Sequence, residues 1–94
     1  MFETGRSLHG ERVVVFLAPG PGRVAVVAAR RVGSAVERNR ARRILREAWR
    51  QVSPQVSGGS DAVLVAREAI RGAKTQDLVA EMRQLLGWEE ATNP

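Results

Sequence analysis

Apolar residues fall along this chain in two patterns: short blocks of β-branched side chains in the first third, and a helical repeat in the middle and near the end. Arg12 to Ala18 contains Val13, Val14, Val15, Phe16 and Leu17, which predicts a strand. Pro19-Gly20-Pro21-Gly22 ends it, and the Val- and Ala-rich stretch from Arg23 to about Arg30 predicts another. A connection of about four residues suits an antiparallel hairpin. Val13, Val15 and Leu17 share one face of the first strand, and Arg12, Val14 and Phe16 share the other. Both faces are therefore expected to be at least partly covered, and Phe16 is either core or a platform for a ligand.

Gly33 and Ser34 break the second strand, and Ser34 is a good N-cap for a helix from Ala35 to Val52, with Glu37 completing a capping box. At 100° per residue, Ala41, Ile44, Leu45, Ala48, Trp49 and Val52 occupy one arc of about 140°. This arc predicts the core face, with Trp49 in it. Arg38, Asn39, Arg42, Arg43, Arg46 and Arg50 occupy a neighbouring arc of about the same width. Ser53 to Ser60 has the Pro and Gly content of a loop, and Asp61 to Arg67 predicts a third strand. Thr75 is placed to cap a last helix from Gln76 to Leu86, which Gly87 would end. The succession of two strands, helix, strand and helix predicts an α+β sandwich in which helices cover a small sheet. Residues 1–88 form one domain in this reading, and 89–94 a polar tail.

Charge sharpens this picture. The 94 residues include 15 Lys and Arg against 10 Asp and Glu. Arg30 to Arg50 alone holds eight arginines and two glutamates, a net of +6, while the rest of the chain carries seven positive and eight negative charges, a net of −1. The excess basicity therefore belongs to one segment. Like charges on adjacent turns repel, so a counter-charge is expected, and phosphate is the obvious one. A helix-turn-helix mode on DNA needs a scaffold helix before a tight turn, whereas this helix follows a strand and a Gly-Ser break. An anionic membrane surface would want a larger apolar face than remains once the sheet is covered. Structured RNA, met by shape and backbone through arginine, is the better partner.

Other chemistry is sparse. The chain has no Cys, so disulfides and thiolate zinc sites are excluded, and the single His9 cannot build a histidine cage. A chain this short buries a modest core, which argues against a large internal cavity and a small-molecule substrate. No apolar run approaches a membrane span and no signal-peptide pattern opens the chain, so a cytoplasmic location is expected.

The segment from Ala29 to Glu47 closely resembles the signature of the bacterial ribonuclease P protein component. It has a basic pair, a hydrophobic residue, Gly, a small residue, Ala-Val, Arg-Asn-Arg, a second basic pair and Arg-Glu, all at the family's spacing. Phe2-Glu3-Thr4-Gly5 is similar to the family's Phe-x-x-Gly, Phe16 stands where an aromatic is usual, and Asp61 to Arg67 resembles the strand after the signature helix. The resemblance implies an α/β sandwich with a central mixed sheet. It places the signature helix in an unusual left-handed crossover between parallel strands, against the usual handedness.

The implied function is that of protein subunit to a catalytic RNA that removes the 5′ leader of precursor tRNA, with Mg²⁺ held mainly by RNA phosphates. No carboxylate cluster or His/Lys constellation in the sequence argues for an autonomous nuclease. By resemblance, Arg38, Asn39, Arg42, Arg43 and Arg46 face the RNA subunit or the cleft edge, and Arg40 in the same signature and Arg30 and Arg31, the basic pair before it, are expected to bind RNA with them. Phe2 and Phe16 match aromatic positions of the cleft through which the single-stranded leader passes; core packing remains the alternative for Phe16. Only Met1 and Phe2 stand where the family's N-terminal basic helix would be. A start placed too far downstream and a trimmed or minimal member are the two readings of that departure. The alternative function is a non-catalytic RNA-binding module, ribosome-associated or an RNA chaperone.

Overall fold

The computed structural model describes residues 5–55 and 60–91. In chain order the elements are β1 (Arg6–His9), β2 (Val13–Pro19), β3 (Val24–Val27), α1 (Ala35–Val52), β4 (Ser60–Ala66) and α2 (Thr75–Ala91), with single 3₁₀ turns at Arg30–Val32, Ser53–Gln55 and Glu68–Ile70. The four strands form one mixed sheet in the order β1-β2-β4-β3. β2 is antiparallel to both β1 and β4, and β3 runs parallel to β4, with α1 as the crossover between them.

This order corrects the expected hairpin: β2 and β3 do not pair, because β4 lies between them. Asp61 is a physical reason. Its Oδ1 accepts from the backbone N–H groups of Gly22 (2.9 Å) and Arg23 (2.8 Å), and its Oδ2 accepts from the Arg23 guanidinium (2.8 Å from Nη2). The Pro-Gly connection is thus docked on the start of β4. β2 and β4 then pair over seven residues, from Val13 opposite Ala66 to Pro19 opposite Ser60, a longer ladder than the four residues of β3 could offer. β1 escaped the sequence reading because Leu8 is its one strongly apolar residue. It folds onto β2 through a tight turn in which the Gly10 N–H donates to the Val13 carbonyl.

Both helices lie on one face of the sheet. Leu8, Val13, Val15, Leu17, Ala62, Leu64 and Ala66 point into that layer and are buried. They meet Ala41, Ile44, Leu45, Ala48, Trp49 and Val52 from α1, the whole predicted arc, and Leu78, Val79, Met82 and Leu86 from α2. Leu45, Leu64, Leu78 and Met82 are fully buried, each worth about 1.5 to 3 kcal/mol relative to exposure. The other face, with Val14, Phe16, Val63 and Val65 half-buried and Ala25 and Val27 exposed, has no helix over it among the described residues. The expectation that both faces are at least partly covered thus meets a helix layer on one side and half-buried β2 and β4 side chains on the other.

The second helix is longer than its pattern predicts. It continues to Ala91 through Gly87, which does not have the positive φ that would end it. Thr75 does not cap it. Its hydroxyl donates to Glu47 Oε1 on α1 (3.1 Å), while Asp77 accepts from the backbone N–H of Lys74 (2.9 Å) to satisfy the helix start.

Candidate RNA interface

The basic segment is held at its entry by a tight local structure. Ser34 Oγ accepts from the Glu37 N–H (3.2 Å) and Glu37 Oε1 accepts from the Ser34 N–H (2.8 Å), a complete capping box. Gly33 precedes it at φ +149°, and a Cβ there would run into the Glu37 carboxylate. Val32, fully buried, anchors the 3₁₀ turn whose neighbours Arg30 and Arg31 are exposed. Sequence thus fixes the turn on an apolar pin and leaves both guanidinium groups outward.

Along α1 the arginines divide by partner. Arg43, Arg46 and Arg50 are exposed and, like Arg30 and Arg31, pair with no carboxylate among the described residues. Arg42 Nη1 donates to Asn39 Oδ1 (2.8 Å), and Arg38, at the rim of the buried arc, donates to the Gly33 carbonyl (2.9 Å). Each guanidinium has five N–H donors, so these contacts set direction and leave most donors available. Arg40 stands apart: its Nη2 donates to the Ala73 carbonyl (2.8 Å), just before α2. The structure brings Arg38, Asn39, Arg42, Arg43 and Arg46 onto one flank of α1 and turns Arg40 to the other, where Glu47 also reaches Thr75.

Neither acid of the segment neutralises the arc. Glu37 is held below its ordinary carboxylate pKa, first by the Ser34 N–H and then by the charge of Arg71, 3.8 Å away. Glu47 accepts from Thr75. The positive field of this flank is therefore uncompensated from within the described molecule.

The second surface is the open face of the sheet. Register places Ser7 opposite Phe16 and Phe16 opposite Val63 in one row, and His9, Val14 and Val65 in the next. Phe16 is half-buried on this face rather than in the core between sheet and helices. A crevice of about 690 Å³ at the end of the face is lined by Val65, Arg31, Arg67, Glu11 and Glu68. Val65 belongs to the open face and Arg31 to the basic turn, so the two surfaces adjoin. Phe2 lies outside the described residues. His9, Ser7 and Arg67 were not singled out from sequence as part of any such surface. The parity of β1 would have placed Ser7 and His9 beside Phe16 had that strand been recognised.

No three Asp, Glu or His side chains converge among the described residues, and the arc itself is cationic, so this surface does not fit a Mg²⁺ ion. No described helix is long and apolar enough to cross a membrane.

Comparison with known proteins agrees with this architecture. The Ribonuclease P family model matches residues 1–89. A ribonuclease P protein component of Symbiobacterium thermophilum is 37% identical over 89 residues, spanning 90% of this chain and 77% of the relative. One from Chloroflexus aurantiacus is 39% identical over 90 residues, spanning 87% and 67%. Among solved structures, the Thermotoga maritima RNase P protein superimposes with a TM-score of 0.75 at 25% identity, covering 89% of this chain and 83% of that one. A Staphylococcus aureus RNase P protein, at 21% identity and a TM-score of 0.74, shares the fold over 93% of this chain and 83% of its own. With an arginine flank that no carboxylate among the described residues neutralises, an adjoining open sheet and a family match across nearly its whole length, this chain belongs to the ribonuclease P protein family.

Proposed function

We propose that this chain, as a protein component of ribonuclease P, grips the RNA subunit through the arginine flank of α1 and carries the 5′ leader of precursor tRNA across its open sheet face. The observation that carries the reading is the set of exposed, unpaired guanidinium groups of Arg30, Arg31, Arg43 and Arg46, reaching through Arg31 to the one sheet face that the described helices leave uncovered. Arg42 and Arg38, aimed by Asn39 and Gly33, extend the same cationic strip. Each phosphate it neutralises releases condensed counterion, which favours binding and makes it salt-dependent. Phe16 offers a flat ring to an unpaired base without reading its identity. Arg40 has another task in this scheme, tying α1 to the start of α2.

The cleavage chemistry is assigned to the RNA, with Mg²⁺ on its phosphates; the side chains described here bind and position. A general RNA-binding module is not favoured, because the family match runs through the sheet and both helices rather than the basic helix alone. The test is multiple-turnover cleavage of a leader-bearing precursor tRNA by a bacterial ribonuclease P RNA at low millimolar Mg²⁺, with and without the chain. Accurate 5′ processing that depends on the protein supports the reading. Binding without stimulation would return the general module to favour, and cleavage by protein alone would overturn the division of labour.

A further inference from the structure

We infer that His9 is a second base-contacting side chain, set beside Phe16 to take the neighbouring unpaired nucleotide; the inference rests on the reading of the open face as the leader surface. Pairing of β1 with β2 puts His9 opposite Val14 and Ser7 opposite Phe16, so the imidazole and the phenyl ring share the open face on adjacent rows. Their centroids are 6.5 Å apart and their planes stand at 74°. His9 is exposed, and its Nε2 lies 3.1 Å from Ser7 Oγ, a hydrogen bond that fixes the ring.

The strand that presents His9 is clamped from behind. Glu81 on α2 accepts from the Arg12 backbone N–H (2.8 Å) and from Arg12 Nη1 (3.0 Å), and Gly10 sits so close to that carboxylate that a Cβ would collide with it. The β1–β2 turn is therefore pinned to the helix layer. A ring held in place before binding loses little freedom when a base arrives.

The interplanar angle selects the ligand. Bases of an A-form duplex are parallel, and two rings at 74° cannot both lie flat against parallel bases. Two nucleotides whose planes turn sharply from one to the next can meet both, and that is open to an unpaired strand. Imidazole also adds what phenyl lacks: a ring nitrogen that can hydrogen-bond a base edge or phosphate. The two-ring platform thus prefers unstacked, single-stranded RNA and discriminates leader from the duplex parts of the substrate.

The experiment uses the reconstituted holoenzyme with leader-bearing precursor and with mature tRNA, comparing His9→Ala, His9→Phe, Phe16→Ala and the double alanine variant. His9→Ala should weaken the precursor about fivefold, the low end for loss of one base stack, and leave mature tRNA unchanged. His9→Phe should recover most of the loss. The double variant should lose more than Phe16→Ala alone, since each ring has its own base, although neighbours in edge contact need not combine by simple multiplication. An unchanged precursor affinity in His9→Ala, while Phe16→Ala is impaired, overturns the role of His9 alone. No added loss in the double variant overturns it too, by showing that His9 merely orients Phe16. If Phe16→Ala also binds precursor normally, the leader surface itself is misplaced and the inference falls with it.

Discussion

Replacing Arg42 and Arg46 together by alanine should push binding and stability in opposite directions. Both side chains lie on the exposed flank of α1, and removing them eliminates the like-charged pairs Arg38–Arg42, Arg42–Arg46 and Arg46–Arg50 at i,i+4 and Arg43–Arg46 at i,i+3. Each such pair costs about 0.2 to 0.5 kcal/mol in a helix, and alanine is the better helix former. Against this stands one hydrogen bond, Arg42 to Asn39. The variant should therefore be more stable by about 0.5 to 1 kcal/mol, read by urea denaturation at low salt. Its binding to ribonuclease P RNA should weaken. If each arginine neutralises one phosphate, the slope of log affinity against log salt falls by about 1.4 to 1.8 units, the range from single-stranded to duplex contacts. Raising salt fourfold would then cost the variant about seven- to twelvefold less affinity than it costs the parent. A slope equal to the parent's would refute the reasoning, because it would mean that these guanidinium groups meet water and not phosphate. A fall in stability would refute the other half, the absence of internal compensation for the arc.

Arg40→Ala serves as the contrasting substitution: loss of the bond to the Ala73 carbonyl should lower stability by about 1 kcal/mol in denaturant titration while the salt slope stays at the parent value. Gly33→Ala, which must hold φ near +149° with a methyl against Glu37, should cost about 1 to 3 kcal/mol and lower the thermal midpoint. Acid should destabilise the fold through Glu37 and Asp61, both lowered from their ordinary values, the first mainly by the Ser34 N–H and the second mainly by the Arg23 side chain. Their contribution is complete above the ordinary carboxylate range and is lost as pH falls through it and below, because the unfolded chain binds those protons more readily. Glu37→Gln with Asp61→Asn should flatten that acid limb in pH-dependent unfolding curves.

Local information was strong where one element determined its own structure. α1 runs from Ala35 to Val52 as its period and capping box predict, and all six residues of its apolar arc are buried. The signature within it identified the family, and the family was legible before any fold was. Sequence failed where the outcome depended on a distant partner. The β2–β3 hairpin was a sound local inference, and Asp61, about forty residues further on, undid it by capturing the Gly22–Arg23 backbone. Thr75 looked like a cap until Glu47 offered its hydroxyl a tertiary acceptor. Arg40 was indistinguishable from its neighbours in the basic run, since its assignment to Ala73 depends on where α2 begins. β1 was silent because a short edge strand with a single buried side chain has almost no periodicity to detect.

The position of β4 has a consequence for how the protein comes into being. It occupies the gap between β2 and β3, yet the ribosome makes it after both and after α1. Domains assemble from the N-terminus as synthesis proceeds, but here nothing can span the sheet until residues 60–66 have emerged. Closing β2 onto β4 spans a loop of about forty residues, with the corresponding entropy, so this pairing should set the folding rate. Until then the apolar side of α1 has no floor and β3 has no neighbour. The nascent chain displays its guanidinium groups before it owns a rigid body to mount them on, and a polyanion nearby meets a charged, half-finished helix first and the assembled binding surface only after the last strand has slid home.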